Sequence, residues 1–91
     1  MASPQSPEHV ALGRVFRELR ADRGISQEEL AFRAGLHRNY VGACERGEIN
    51  LSFRVMLRLA AGLGATFFEI ARRYDAIGAP DSVAPPGSDA D

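Results

Sequence analysis

Glycines and hydroxyl side chains divide this chain into a succession of stop and start signals. Each interior stop is a glycine, at Gly24, Gly35, Gly47 and either Gly62 or Gly64. Each interior start has a Ser, Thr or His at its cap, at Ser26, His37, Ser52 and Thr66. Glycine accepts the left-handed backbone that closes a helix, and a hydroxyl oxygen accepts from the free N–H groups that open one. Apolar residues between these signals recur at helical spacing. The pattern predicts an all-α fold of five helices with no strand.

The first helix is expected to start at Ser6 as N-cap, with Pro7 at the first helical position, and to end at Gly24. Val10, Leu12, Val15, Phe16 and Leu19 supply its apolar side. Ser26-Gln-Glu-Glu29 reads as a capping box before a second helix, with Leu30, Ala31 and Ala34 inward. A third helix is expected over about Arg38 to Arg46, with Val41 and Cys44 facing the core. The fourth carries Val55, Met56, Leu59, Ala60 and Leu63. Thr66 and Glu69 form another capping box, opening a fifth through Phe67, Ile70, Ala71 and Tyr74. Residues 7–77 thus read as one domain. The flanking segments 1–6 and 78–91, rich in Pro, Ser, Gly, Ala and Asp, bury too little apolar surface to offset their ordering and are expected to be disordered tails.

Composition narrows the function classes. The 91 residues, 45% hydrophobic and 25% charged, are those of an ordinary soluble domain. No apolar run approaches the roughly 20 residues of a membrane span, and no signal segment opens the chain, so a cytoplasmic protein with no membrane partner is expected. Cys44 stands alone and no Cys/His cluster has metal spacing, so it reads as a small core residue, with no metal or cofactor expected. His9 and His37 have no nucleophile motif near them, and no phosphate-cradling loop is present. The expectation is a protein that is not an enzyme, with no small-molecule ligand evident. The formal net charge is −1, yet all eleven basic residues are arginines between Arg14 and Arg73, a stretch with seven acidic residues. A mildly basic domain with an acidic tail permits phosphate binding without demanding it.

The most informative stretch is AGLHRNYVGACERG, residues 34–47. Two short helices joined by a turn containing glycine form a helix-turn-helix, whose second helix can lie in the DNA major groove. Ala31 is small enough for the helices to cross, Gly35 makes the turn, and Leu36 plugs the angle between them. Val41 and Cys44 hold the second helix down. Over residues 17–65, ISQEELA, AGL, YVGACERG and the NLSF that opens the fourth helix match, in order and spacing, the Cro/C1-type helix-turn-helix family. The chain resembles this family, also called the xenobiotic-response-element class. GLHRNYVGACERGEINLSF looks especially like GLHRTYIxxxERGxRNLS, the pattern of restriction–modification controller proteins. The resemblance implies a five-helix, lambda-repressor-like domain of a transcriptional regulator. It also implies double-stranded DNA as the partner, bound by a homodimer on an operator with pseudo-twofold symmetry.

Residue by residue, the resemblance implies that Gln27 touches phosphate and braces the recognition helix; read without the resemblance, it is a solvated glutamine at a helix start. Arg38, Asn39, Gly42 and Ala43 match the groove-facing positions, where arginine suits guanine, asparagine adenine and alanine a thymine methyl. His37 stands where the family usually has a capping serine or threonine, and either caps or contacts phosphate. Tyr40 either reaches a phosphate or packs over the turn. Arg46, Asn50, Ser52 and Arg54 match backbone-contacting positions that set register without reading sequence. Arg20 and Glu45 match a structural ion pair; read without the resemblance, they are two exposed charges worth little. Gly42 costs roughly 1 kcal/mol against alanine within a helix. A bare backbone there admits DNA closely or allows adaptation to more than one operator. The alternative is a protein-interaction module, antitoxin-like or for dimerisation, using Phe53, Leu57, Phe67 and Phe68 on the same fold.

Overall fold

Four side-chain oxygens and four left-handed glycines set the bounds of the helices. The computed structural model describes residues 6–78 as α1 Pro7–Arg23, α2 Gln27–Ala34, α3 Arg38–Glu45, α4 Phe53–Leu63 and α5 Phe67–Gly78, with no strand among them. Ser6, Ser26, Ser52 and Thr66 accept from the backbone N–H groups of His9, Glu29, Val55 and Glu69 at 3.0 to 3.2 Å. Both capping boxes close on one side only. The carboxylate of Glu29 is taken by Arg33, and that of Glu69 by Arg23. α5 includes Gly78, one residue past the expected boundary, and Ser6 of the expected N-terminal tail caps α1; residues 1–5 and 79–91 of the expected tails lie outside the described residues.

The core is built from Val15, Phe16 and Leu19 of α1, Leu30 of α2, Val41 of α3, Leu59 and Leu63 of α4 and Ile70 of α5, all buried. α2 packs on α3 and α4, while α1 lies across α3 and α5. Val10, expected inside, is exposed, and Ala11 takes the buried place beside it. Phe67, expected either in the core or in a protein contact, is 44% exposed, its ring set edge-on against Phe53 at 5.4 Å. Gly64, not Gly62, closes α4. Gly62 is instead a packing residue, where a Cβ would stand 3.0 Å from Leu30 Cδ1.

Gly13 sets how close α1 comes to α3. A Cβ there would lie 2.4 Å from the Cys44 carbonyl oxygen and 2.6 Å from that of Glu45. Those distances are far inside van der Waals contact, so the end of α3 rests directly on the α1 backbone. No described helix is long and apolar enough to cross a membrane.

Candidate nucleic-acid interface

The turn between α2 and α3 is three residues, Gly35 to His37. Gly35 adopts φ 71°, and the N–H groups of Gly35 and Leu36 donate to the carbonyls of Phe32 and Ala31 at 3.3 and 2.8 Å. This paired closure turns the chain sharply and satisfies the last carbonyls of α2. Ala31, Val41 and Cys44 are buried where the helices meet, which fixes the opposite face of α3 toward solvent. Burial pushes the Cys44 thiol up to about 12, with the Glu45 charge adding to the shift, so the side chain is a neutral core group.

Glu45 is the one buried charged residue among those described. Arg20 Nε and Nη2 donate to its two carboxylate oxygens at 2.7 and 3.1 Å, and Gln27 Nε2 donates to Oε1 at 3.0 Å. Arg17 adds Nη2 to the Glu45 carbonyl at 3.3 Å. One carboxylate therefore ties α1, α2 and α3 together, and its hydrogen bond raises the Arg20 pKa above its already high value. Every buried side-chain nitrogen or oxygen among the described residues has a partner, the condition under which an ion pair of this kind is tolerated inside a fold.

The expected site residues differ in exposure. Arg38 and Asn39 stand exposed at the start of α3, with Ala43 half-buried one turn further along. His37 is exposed and makes no capping bond. Tyr40 is half-buried, and burial raises its hydroxyl pKa. Arg46, Asn50, Ser52 and Arg54 are exposed on and after the end of α3; Ser52 also caps α4. Gly42 differs from its expected open placement: it is buried, with the side chains of Arg46 and Gln27 lying over it. Gln27 turns an amide N–H inward to Glu45, which is how it braces α3.

Arginine pairing is uneven across the surface. Of the eleven arginines, only Arg38, Arg54 and Arg72 have no hydrogen-bond or ion-pair partner among the described residues. Two of these three are candidate contact residues. A guanidinium with no internal partner keeps all its donors for an external one.

Residues 11–73 match the family described as a helix-turn-helix domain. The chain belongs to this family. A Neisseria hypothetical transcription factor from Neisseria meningitidis is 41% identical over 55 residues, covering 60% of this chain and 52% of that protein. Control protein C.SmaI of Serratia marcescens is 38% identical over 55 residues, covering 60% of this chain and 66% of that protein. In both cases the matched stretch is less than two thirds of the relative. The crystal structure of the restriction-modification controller protein C.AhdI from Aeromonas hydrophila is 45% identical, with a TM-score of 0.70, over 71% of this chain and 98% of that one. The resemblance carried by ISQEELA, AGL and YVGACERG stands.

Three participants in this helix-turn-helix were not legible as such. His9 bonds Ser6 Oγ through Nδ1, and its Nε2 donates to Asn50 Oδ1 at 3.1 Å. Glu48 holds Arg46 at 2.9 and 3.2 Å. Arg17 reinforces the Glu45 network. His9 and Asn50 are 41 residues apart, and no local pattern links them. Among the described residues no group of His, Cys, Asp and Glu could hold a metal ion.

Proposed function

We propose that this chain is a sequence-specific transcriptional regulator of the controller type, which inserts α3 into the major groove of an operator and acts as a homodimer in the cytoplasm. The observation that carries this reading is the division of α3 into two faces. Val41, Cys44 and Glu45 are buried, while Arg38 and Asn39 stand exposed without an internal partner. Arg38 suits a guanine edge, Asn39 an adenine and Ala43 a thymine methyl. In this reading His37, Tyr40, Asn50, Ser52 and Arg54 contact phosphates, which set register, and Gln27 has a second amide N–H left for one. The identity to a controller protein over nearly the whole of that protein supports the controller type.

Dimerisation is favoured by apolar exposure on α4 and α5. Phe53, Leu57 and Phe68 are exposed there. Beside them a cleft lined by Leu12, Met56, Phe67, Ile70 and Tyr74 stays open. The same surface supports the second reading, a module used for protein contacts only. Selection of bound duplexes from a random pool, followed by footprinting, separates the two. An inverted repeat with half-site centres roughly 34–36 Å apart is the expected result for a dimer. No enrichment, with no salt-sensitive retention of DNA, overturns the regulator and leaves the protein-contact module.

A further inference from the structure

Arg46 follows the last turn of α3, and its side chain folds back along that helix. Its Nε and Nη2 donate to Oε2 and Oε1 of Glu48 at 2.9 and 3.2 Å, so the carboxylate grips one edge of the guanidinium. Nη1 lies over Gly42, 3.2 Å from the point where a Cβ would stand. A guanidinium carries five N–H donors in a rigid plane. Glu48 uses two of them, and the edge formed by Nη1 and the second N–H of Nη2 is left for another pair of acceptors. The Arg46 side chain is 56% exposed, and no described residue accepts from Nη1 or from that second N–H.

Two features otherwise lack a reason. A glycine inside an eight-residue helix weakens it, and an acid beside a phosphate-binding surface repels the ligand. Both follow if the arginine between them must be held in one place. A side chain preset in its bound rotamer loses less freedom on binding and presents a planar fork in a fixed orientation.

We propose that Gly42 and Glu48 are positioning residues that hold Arg46 across the outer face of α3, with its Nη1/Nη2 edge offered to a pair of acceptors on the DNA. This rests on the reading of α3 as the recognition helix. The acceptor pair is O6 and N7 of a guanine or two phosphate oxygens, which present the same chemistry to a guanidinium.

The test titrates the full chain and its variants against a selected operator and a scrambled duplex. Glu48→Gln keeps the shape and removes the charge. It is expected to weaken operator binding roughly tenfold while scrambled-duplex binding holds or tightens, so the ratio of the two affinities falls. In an Arg46→Ala background the same change leaves the ratio where it was. Gly42→Ala lowers the ratio without lowering the melting temperature, because the guanidinium rather than the backbone gives way. Arg46→Lys does not restore what Arg46→Ala loses, since lysine has no fork. A loss on Arg46→Ala confined to one base position assigns guanine; a uniform loss assigns phosphate, and Glu48→Gln and Gly42→Ala then weaken both duplexes together instead of lowering the ratio. Equal tightening of both duplexes by Glu48→Gln, or an unchanged effect without Arg46, overturns the proposal. A parent chain with no sequence preference overturns the underlying functional reading instead.

Discussion

Arg20 of α1 and Glu45 of α3 meet edge to edge, two donors on two acceptors, with the Glu45 side chain 1% exposed and the Arg20 side chain 19%. Removing one partner of such a pair leaves the other charge uncompensated. Glu45→Ala is therefore expected to cost about 3–5 kcal/mol of folding stability. Urea unfolding reads this directly. A loss under about 0.5 kcal/mol, the size expected at a surface position, would show that the pair is energetically idle.

Gly13→Ala tests the approach of α1 to α3. The added methyl would sit 2.4 Å from a backbone carbonyl oxygen, and neither helix can yield by a rotamer change. The expected cost is about 3 kcal/mol, at the upper end for overpacking, seen as a lower thermal midpoint. A variant as stable as the parent contradicts the close approach.

Arg38 and Arg54 should respond differently to truncation. Arg38→Ala is expected to lose about 1–3 kcal/mol of operator affinity, concentrated at one base position. Arg54→Ala should weaken every duplex alike and reduce the slope of log K against log salt by about 0.9. Fluorescence anisotropy over a panel of single-base operator variants and salt concentrations measures both. Interchanged results would exchange their assignments.

Cys44 gives a pH dependence with a definite sign. Its thiol is pushed up to about 12 in the fold, from an ordinary value of 9.0. The unfolded chain releases this proton first, so the stability contribution is complete below about pH 9 and is lost as pH rises toward 12. Unfolding midpoints should fall across that window less steeply in Cys44→Ala than in the parent. Parallel pH profiles for the two proteins would refute the buried thiol.

Local chemistry made most of the architecture readable. Ser6, Ser26, Ser52, Thr66 and the glycines that follow α1 to α4 act on their immediate neighbours, and a short window contains the whole cause. Val10 and Ala11 show where periodicity weakens: both lie near the inner face, and Ala11 is buried while Val10 stays exposed even with Gly47 against its backbone. Gly13 carried the same signal as Gly42, a glycine interrupting a helical pattern. Its reason lies on a different helix, about thirty residues away in sequence, and periodicity holds no trace of it. The exposed face of α3, with Arg38 and Asn39, was legible through the family motif. The groups that orient its side chains were not, because Glu48 lies past the helix end and His9 near the start of the chain. Gly42 looked like open space for DNA and is roofed by two side chains of its own protein.

The carboxylate that joins three helices has a consequence for how such a protein changes over generations. The tilt of α3 is anchored from behind, by Arg20, Gln27 and the α1 backbone, and Arg38 and Asn39 take no part in that anchorage. Substitutions at those two positions can therefore accumulate without disturbing the scaffold that carries them. With Arg38 and Asn39 reading the operator as proposed, a lineage built this way can drift from one target sequence to another while inheriting the same frame.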